Sequence, residues 1–229
     1  MAMLRLDNVA MRYAGGPEIL RDVNLALEPG GFHYLMGPSG AGKTSLLRLI
    51  SLSHPPCRGR MTLFGRDIAQ LTRADLAGVR RRIGMIFQDF RLLDHKSAFD
   101  NVALPLRIAG ARDEQISGFV SEMLSWLGLS DVIEAKPPTL SMGQRQLLAV
   151  ARAVITRPGL LLADEPTANI DAKRAERLVN LFEQLHKLGS TVLFATHNDD
   201  MVRRHPHPVL HMASGRLIAP APESLAAAD

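Results

Sequence analysis

Cysteine is nearly missing from this chain of 229 residues, because Cys57 is the only one. A single thiol excludes an internal disulfide and fits a reducing compartment. Aromatic residues are also scarce, with one Trp and two Tyr. This scarcity argues against the aromatic platforms on which single-stranded nucleic acids stack. We therefore expect no nucleic-acid partner.

Long apolar runs are absent as well. No stretch approaches the roughly 20 apolar residues that a membrane-spanning helix needs. The first seven residues lack the apolar core of a signal peptide. We therefore expect a cytoplasmic protein that would reach a membrane only through a membrane-spanning partner.

The overall composition is that of an ordinary globular protein, with 46% hydrophobic and 22% charged residues. The length fits one α/β domain, or one domain with an inserted subdomain. The formal net charge is only +4, and basic residues cluster at 80–82 and 203–204. Such clusters are usually solvated faces, and a charged partner or lipid surface is the alternative.

One loop dominates the sequence, because residues 37–44 fit the pattern G-x-x-x-x-G-K-[ST]. The apolar run Phe32–Met36 precedes the loop, and the helix-like stretch Ser45–Ile50 follows it. In this strand–loop–helix context, glycines let successive N–H groups converge on one anion. The helix N-terminus adds unpaired donors. The pattern predicts a nucleotide site in which Lys43 contacts the β- and γ-phosphates and Thr44 offers its hydroxyl to Mg²⁺.

Short apolar runs at 83–87, 160–163 and 191–195 predict strands that are buried on both faces. Between the first two runs, apolar residues recur at spacings of three and four, which predicts a helical insertion that begins after Gln88 and ends near Ile155. Shorter alternating segments predict half-exposed strands at 4–9, 23–27 and 60–64 and a terminal hairpin at 209–218.

Polar side chains follow three of the predicted strands: Gln88, Asp164 with Glu165, and His197. Ligands of open parallel sheets bind outside the carboxyl ends of the strands, so we expect these groups to form one site with the phosphate loop. Asp164 is predicted to bind Mg²⁺, mainly through water. Glu165 is predicted to orient and polarise the water that attacks the γ-phosphate.

His197 is predicted to bind the γ-phosphate or to brace that water, and Gln88 to ligate the metal or sense the phosphate. Each group also has an ordinary structural explanation. Asp164 could cap a helix or form a buried ion pair, Glu165 could be a surface acid, and His197 could be a satisfied structural residue.

A second helix start carries the capping box formed by Ser141 and Gln144. It is either a well-capped helix start or a second helix N-terminus presented to phosphate. Because one phosphate loop already serves the near side of the nucleotide, the second reading places this helix in another subunit. Tyr13 is either a strand-end core aromatic or a flat face for a purine ring.

In order and spacing these motifs resemble the ATP-binding cassette ATPases over nearly the whole chain. The resemblance implies that Tyr13 stacks on adenine. It identifies 37–44 as Walker A, Gln88 as the Q-loop, 140–144 as the signature motif, 161–165 as Walker B, 168–171 as the D-loop and His197 as the switch histidine.

The resemblance also implies a complete set of site residues. The expected catalytic residues are Glu165, His197 and Lys43, and the expected Mg²⁺ ligands are Thr44, Gln88 and Asp164. The expected ATP-binding residues are Tyr13, Gly37, Pro38, Ser39, Gly40, Ala41, Gly42, Lys43, Thr44, Ser45, Gln88, Ser141, Gly143 and Gln144.

The fold implied is a P-loop NTPase core of the RecA-like α/β type, with an N-terminal antiparallel β-subdomain and an inserted helical signature subdomain. We expect one domain, with the core and β-subdomain at 1–88 and 156–218, the helical subdomain at 89–155 and a flexible tail at 219–229. Two copies are expected to form a head-to-tail homodimer with ATP between Walker A of one copy and the signature of the other.

Stretches that flank the Q-loop, 81–89, 100–106 and 108–111, resemble more narrowly the FtsE family of bacterial cell-division ATPases. That resemblance implies the membrane partner FtsX, a peripheral location on the cytoplasmic face of the inner membrane and activation of cell-wall hydrolases. Three alternatives stay open: an ATPase for lipoprotein release, efflux or solute import; a soluble cassette acting on ribosomes or in DNA repair; and a nucleotide-binding scaffold with little turnover.

The chain departs from the family pattern in its signature motif. Met142 replaces the first Gly of Leu-Ser-Gly-Gly-Gln, and Leu147 stands where Arg is usual. Since a Gly lets the backbone approach phosphate without a Cβ, we expect ATP binding to survive and hydrolysis to be slower than in relatives. Asn169 and Ile170 vary from the common Ala-Leu of the D-loop, which we expect to matter little.

Overall fold

The computed structural model describes residues 2–218, and the predicted flexible tail at 219–229 lies outside the described residues. The elements in chain order are β1 (Leu4–Arg12), β2 (Glu18–Leu27), β3 (Phe32–Met36), α1 (Lys43–Ile50), β4 (Arg58–Leu63), β5 (Arg66–Asp67), α2 (Arg73–Arg81), β6 (Ile83–Ile86), α3 (Ala98–Ile108), α4 (Asp113–Trp126), α5 (Met142–Val154), β7 (Leu160–Asp164), α6 (Ala172–Lys187), β8 (Thr191–Ala195), α7 (Asp199–Arg204), β9 (Val209–Ala213) and β10 (Arg216–Ile218).

Residues 2–218 form two sheets. One has six strands in the order β10-β9-β3-β8-β7-β6, in which all pairs are parallel except the terminal hairpin β9–β10. The other has four antiparallel strands in the order β2-β1-β4-β5. The α3–α5 block lies between β6 and β7 in the chain. These features confirm the predicted fold class, a parallel α/β core with an antiparallel β-subdomain and a helical insertion.

Both faces of the six-stranded sheet are covered, as the continuous apolar runs predicted. In β7, Leu161 and Ala163 belong to the core shared with α3, α5 and α6, whereas Leu160 and Leu162 belong to the core shared with α1 and the antiparallel sheet. Strand β8 alternates between the same two cores. This period of two explains why all five residues of each strand are buried.

The prediction that residues 83–87 form a strand buried on both faces is wrong. Strand β6 is the edge of the six-stranded sheet, and its residues alternate between half-buried and buried. Among the strands of residues 2–218, β6 pairs only with β7. Ile83 and Met85 pack against one core but stay half-buried. An apolar run alone does not distinguish a central strand from such an edge.

The helix of the phosphate loop ends at Ile50, several residues before the helix-breaking pair Pro55–Pro56. Leu52 adopts a left-handed conformation (φ 60°), and the N–H of Ser53 donates to the carbonyl of Arg48. This closing pattern ends helices without any proline. Within residues 2–218, no helix combines the length and apolarity needed to cross a membrane.

The terminal hairpin forms as predicted, but its placement was not predicted. Strand β9 pairs in parallel with β3, the strand that leads into the phosphate loop. The short helix α7 between β8 and β9 was also not predicted. The hairpin therefore lies directly beside the loop, with consequences for the site described below.

Candidate functional site

The phosphate loop joins β3 to α1 through a backbone that needs glycine. Gly37, Gly40 and Gly42 all have positive φ, of 152°, 77° and 108°. Gly42 precedes the first helical residue, and no side chain of the described residues caps this helix end. The amides of the first turn of α1 are therefore available to an anion, and the helix dipole favours negative charge there.

Lys43 closes the loop from within. Its Nζ donates to the carbonyl oxygens of Gly37 at 2.6 Å and Pro38 at 3.2 Å. The ammonium group therefore lies at the mouth of the loop, where the converging amides also point. A triphosphate bound here would meet a compact cation as well as main-chain donors.

A cavity of about 490 Å³ brings together most of the residues that the sequence predicted. Its walls are the loop and the start of α1, the ends of β7 and β8, and the segment after β6. The lining residues are Ile19, Gly37, Pro38, Ser39, Gly40, Ala41, Gly42, Lys43, Thr44, Ser45, Gln88, Asp164, Glu165, Ala168 and His197. Ile19 was not singled out in the sequence, and Ala168 was named there only as the first residue of the D-loop.

Asp164 ends β7 and is only 2% exposed. Burial raises the pKa of its carboxyl, and a hydrogen bond with the Thr44 side chain opposes part of that rise. Thr44, Gln88 and Asp164 also line a second recess next to the main cavity. Their oxygens are the donors that Mg²⁺ prefers, and so few ligands suit an ion that keeps several waters. In residues 2–218, no group of three or more His, Cys, Asp or Glu side chains is arranged to hold a metal ion by itself.

Replacing Asp164 by Asn should make the isolated protein more stable. Because the folded-state pKa is raised above the unfolded value, the ionised carboxyl lowers the free energy of unfolding, and this cost is complete once the pH exceeds the folded-state pKa. We expect Asp164→Asn to raise the melting temperature at neutral pH by a few degrees, on the order of 1 kcal/mol. The same variant should bind Mg²⁺-nucleotide more weakly, and an unchanged or lower melting temperature would contradict the prediction.

Glu165 is held in an unusual backbone conformation beside His197. Its φ is +48°, which costs free energy for a residue with a side chain. Its N–H donates to the carbonyl of Ala195 at 3.0 Å, which ties it to the end of β8. Its Oε1 lies 2.8 Å from Nδ1 of His197. The carboxylate of Glu165 is 13% exposed, whereas the imidazole of His197 is 73% exposed. Both side chains line the cavity, and the carboxylate is the more buried of the two.

Tyr13 does not line the cavity in this structure. Its hydroxyl lies 3.2 Å from Oγ of Ser45, and its ring packs edge-on against His54. Ser45 does line the cavity, so the hydroxyl of Tyr13 contacts a cavity residue in the first turn of α1. Its predicted role in stacking on adenine stays a prediction.

The signature residues Ser141, Gly143 and Gln144 lie apart from the cavity of their own chain. Ser141 and Gln144 form the predicted capping box at the start of α5, with both hydrogen bonds present. A Cβ on Gly143 would lie 3.2 Å from the carbonyl of Asn169, so the helix start packs against the predicted D-loop. Met142 is 54% exposed.

The terminal hairpin braces the phosphate loop, which sequence reasoning missed. A Cβ on Gly37 would lie 2.1 Å from the carbonyl of Met212, so only glycine fits there. The N–H of Gly215 donates to the carbonyl of Ala41 at 2.9 Å. The turn glycine was visible in the sequence, but its partner lies more than 170 positions away along the chain.

Comparison with known proteins gives a consistent result. A family model described as ABC transporter matches residues 20–168. The cell division ATP-binding protein FtsE of Escherichia coli (strain K12) is 41% identical over 215 residues, which cover 94% of this chain and 97% of that protein. The protein of the same name from Mycobacterium tuberculosis is 37% identical over 94% of each chain.

Solved structures agree at the level of the whole chain. A dimeric post-hydrolysis state of the ATP-binding cassette MJ0796, bound to ADP and Pi, has a TM-score of 0.88 and 33% identity. The match covers 95% of this chain and 97% of that one. A second dimeric structure of the same bacterial ABC transporter cassette matches equally well.

Proposed function

The chain belongs to the ATP-binding cassette family, and from this premise we propose that it is the ATP-hydrolysing subunit of a bacterial cell-division complex. The observation that carries the proposal is the cavity, which joins the phosphate loop to the carboxylates after β7 and the imidazole after β8. The likeness to FtsE proteins over more than nine-tenths of the chain supports the assignment to cell division.

In this proposal the loop holds the triphosphate by main-chain N–H groups, and Lys43 exchanges its contacts with Gly37 and Pro38 for the phosphate oxygens. Thr44, Gln88 and Asp164 would hold Mg²⁺. Bound Mg²⁺ would offset the negative charge of the phosphates. The buried Asp164 then keeps its ionised form because a cation replaces the lost solvent.

Hydrolysis requires a water placed opposite the bond that breaks, which joins the γ-phosphorus to the oxygen that leaves with ADP. Glu165 can accept a hydrogen bond from that water and polarise it. An ionised carboxylate accepts hydrogen bonds but does not donate them, so Nδ1 of His197 carries the proton in their 2.8 Å contact. The other ring nitrogen of His197 is thereby left for the γ-phosphate or the water.

The proposed catalytic unit is a head-to-tail homodimer. Ser141, Gly143 and Gln144 do not line the cavity of their own chain, and in the proposed dimer a second copy brings them to the nucleotide. The matched solved structures of a relative are described as dimeric, which supports this arrangement. ATP binding would close the dimer and hydrolysis would reopen it.

The proposed membrane partner is FtsX, on the cytoplasmic face of the inner membrane, with cell-wall hydrolases as the final target. In this role the proposed chain comprises a core and β-subdomain at 1–88 and 156–218 and a helical subdomain at 89–155. A permease for lipoprotein release, efflux or solute import is the alternative partner. Purification of the full chain from membranes with its bound partner distinguishes the two. The proposal expects FtsX to be recovered, and the alternative expects a permease for lipoprotein release, efflux or solute import.

The proposal is tested first by nucleotide retention. Lys43→Ala should weaken binding of labelled ATP with Mg²⁺ by roughly a hundredfold, because it removes a charge-assisted contact to phosphate. The exposed Lys187, at the end of α6, provides the matched control as Lys187→Ala. If Lys43→Ala and Lys187→Ala retained ATP equally, the nucleotide site would be misassigned.

The effect of Met142 on turnover stays a prediction. Because its side chain is exposed at the start of α5, it would face the partner copy in the proposed dimer. Met142→Gly is expected to raise the hydrolysis rate by a few-fold by letting the backbone approach phosphate. Equal turnover of the variant and the unchanged chain would reject this explanation.

A further inference from the structure

The segment between β6 and α3 contains a strained turn. Phe90 and Arg91 are consecutive and both left-handed, with φ of 58° and 48°. Bulky residues rarely adopt this conformation, and two in succession persist only when the surroundings hold them. The turn itself has hydrogen bonds from the N–H of Phe90 to the carbonyl of Phe87 at 3.0 Å and from the N–H of Arg91 to the carbonyl of Asp89 at 2.6 Å.

Arg152 of helix α5 grips this turn. One guanidinium nitrogen donates to the carbonyl of Phe90 at 2.8 Å, and another donates to the carbonyl of Arg91 at 2.7 Å. One planar, rigid fork therefore fixes the orientation of both strained residues. Burial lowers the pKa of the guanidinium.

A second side chain holds the rest of the segment to the same helical block. The buried Asn101 of α3 accepts from the N–H of Leu93 and donates to the carbonyls of Leu93, Lys96 and Ser97. The segment from 90 to 97 is therefore tied by side-chain hydrogen bonds to both α3 and α5. On its other side, Gln88 stands only two residues before the gripped turn and lines the nucleotide cavity.

Helix α5 connects this grip to the signature residues. It has 13 residues, so at 1.5 Å per residue it is about 20 Å long, with Ser141 capping one end and Arg152 near the other. Arg152 therefore connects the helix that carries the signature residues to the backbone next to Gln88.

We propose that Arg152 is a positioning residue that holds the strained turn at Phe90 and Arg91 and thereby sets Gln88 against the nucleotide. This inference rests on the proposed function, since it assigns Gln88 to the ATP site. Because both residues are strained, the turn relaxes when the hydrogen bonds from Arg152 are removed. Gln88 then leaves the position from which it contacts the metal or the phosphate.

The first variant is Arg152→Met, which removes both donors but keeps a side chain of similar length. We expect kcat for ATP hydrolysis to fall on the order of tenfold, while retention of Mg²⁺-ATP changes little. Hydrogen exchange of residues 87–93 should become faster in the same variant without nucleotide. Unchanged kcat together with unchanged exchange in this segment would overturn the proposal.

Rescue separates positioning from a general loss of structure. Arg91→Gly added to Arg152→Met should recover most of the lost kcat and slow the exchange again, because glycine adopts positive φ without help. Arg91→Ala in the same background removes the same side chain but keeps the Cβ, so it should not rescue. Equal behaviour of the Gly and Ala versions would contradict a role based on backbone strain.

The outcomes also distinguish this inference from the proposed function. If the unchanged full chain with its membrane partner hydrolyses no ATP, the proposed function fails. If it hydrolyses ATP and Arg152→Met has the same kcat and the same exchange, only the positioning role fails. Melting temperatures of all variants report whether a lost rate reflects unfolding instead.

Discussion

Glu165→Gln should lose nearly all hydrolysis while keeping ATP. Glutamine has the same shape and still accepts a hydrogen bond through its oxygen, so the cavity and the phosphate contacts persist. It has no charge with which to polarise the attacking water, and an amide is a far weaker base. We expect kcat to fall roughly a thousandfold, within the range typical for a lost general base, with ATP affinity within a few-fold of the unchanged chain.

The contact between Glu165 and His197 gives this prediction a sharper form. If His197 acts only by orienting the carboxylate, then His197→Ala should lower kcat, and the double variant with Glu165→Gln should be no slower than Glu165→Gln alone. If His197 also contacts the γ-phosphate, the double variant should be slower still. His211→Ala, at an exposed histidine of β9, is the matched control. Near-normal turnover in Glu165→Gln would remove Glu165 from the catalytic role.

The phosphate loop and the strand-end groups could be predicted because their signals are local. A glycine pattern between a strand and a helix specifies its own geometry, and polar residues after buried strands converge by topology alone. Gln88, Asp164 and His197 do line one cavity with the loop. Their individual roles stay predictions, because a shared cavity does not identify which group binds metal or activates water.

The features that escaped prediction depend on pairing between distant segments. The apolar run of β6 resembles that of β7, yet only the strand order makes β6 an edge. The grip of Arg152 on residues 90 and 91 joins segments about 60 positions apart, and nothing at either position indicates the other. Hydrophobic period fixes the faces of an element but not its neighbours.

Gly215→Ala should disrupt the nucleotide site, although Gly215 does not line the cavity. Gly215 has φ +78°, and a Cβ there would lie 2.0 Å from the carbonyl oxygen of Ile19, a backbone atom that cannot turn aside. The hairpin must therefore shift, and the hydrogen bond from Gly215 to Ala41 in the phosphate loop is lost with it. We expect a loss of about 3 kcal/mol or more in the free energy of unfolding, and weaker retention of Mg²⁺-ATP by the fraction that stays folded.

The matched control is Gly110→Ala, because Gly110 has a similar φ of +83° but open space where its Cβ would stand. That variant should cost only the backbone strain of a left-handed alanine, about 1 kcal/mol, and leave ATP retention unchanged. The difference between the two variants isolates the clash with Ile19 from the conformational cost that both share. Denaturant unfolding gives the two free energies, and equal losses would mean that the hairpin accommodates the methyl group. Equal losses together with intact ATP binding would show that the hairpin does not brace the loop.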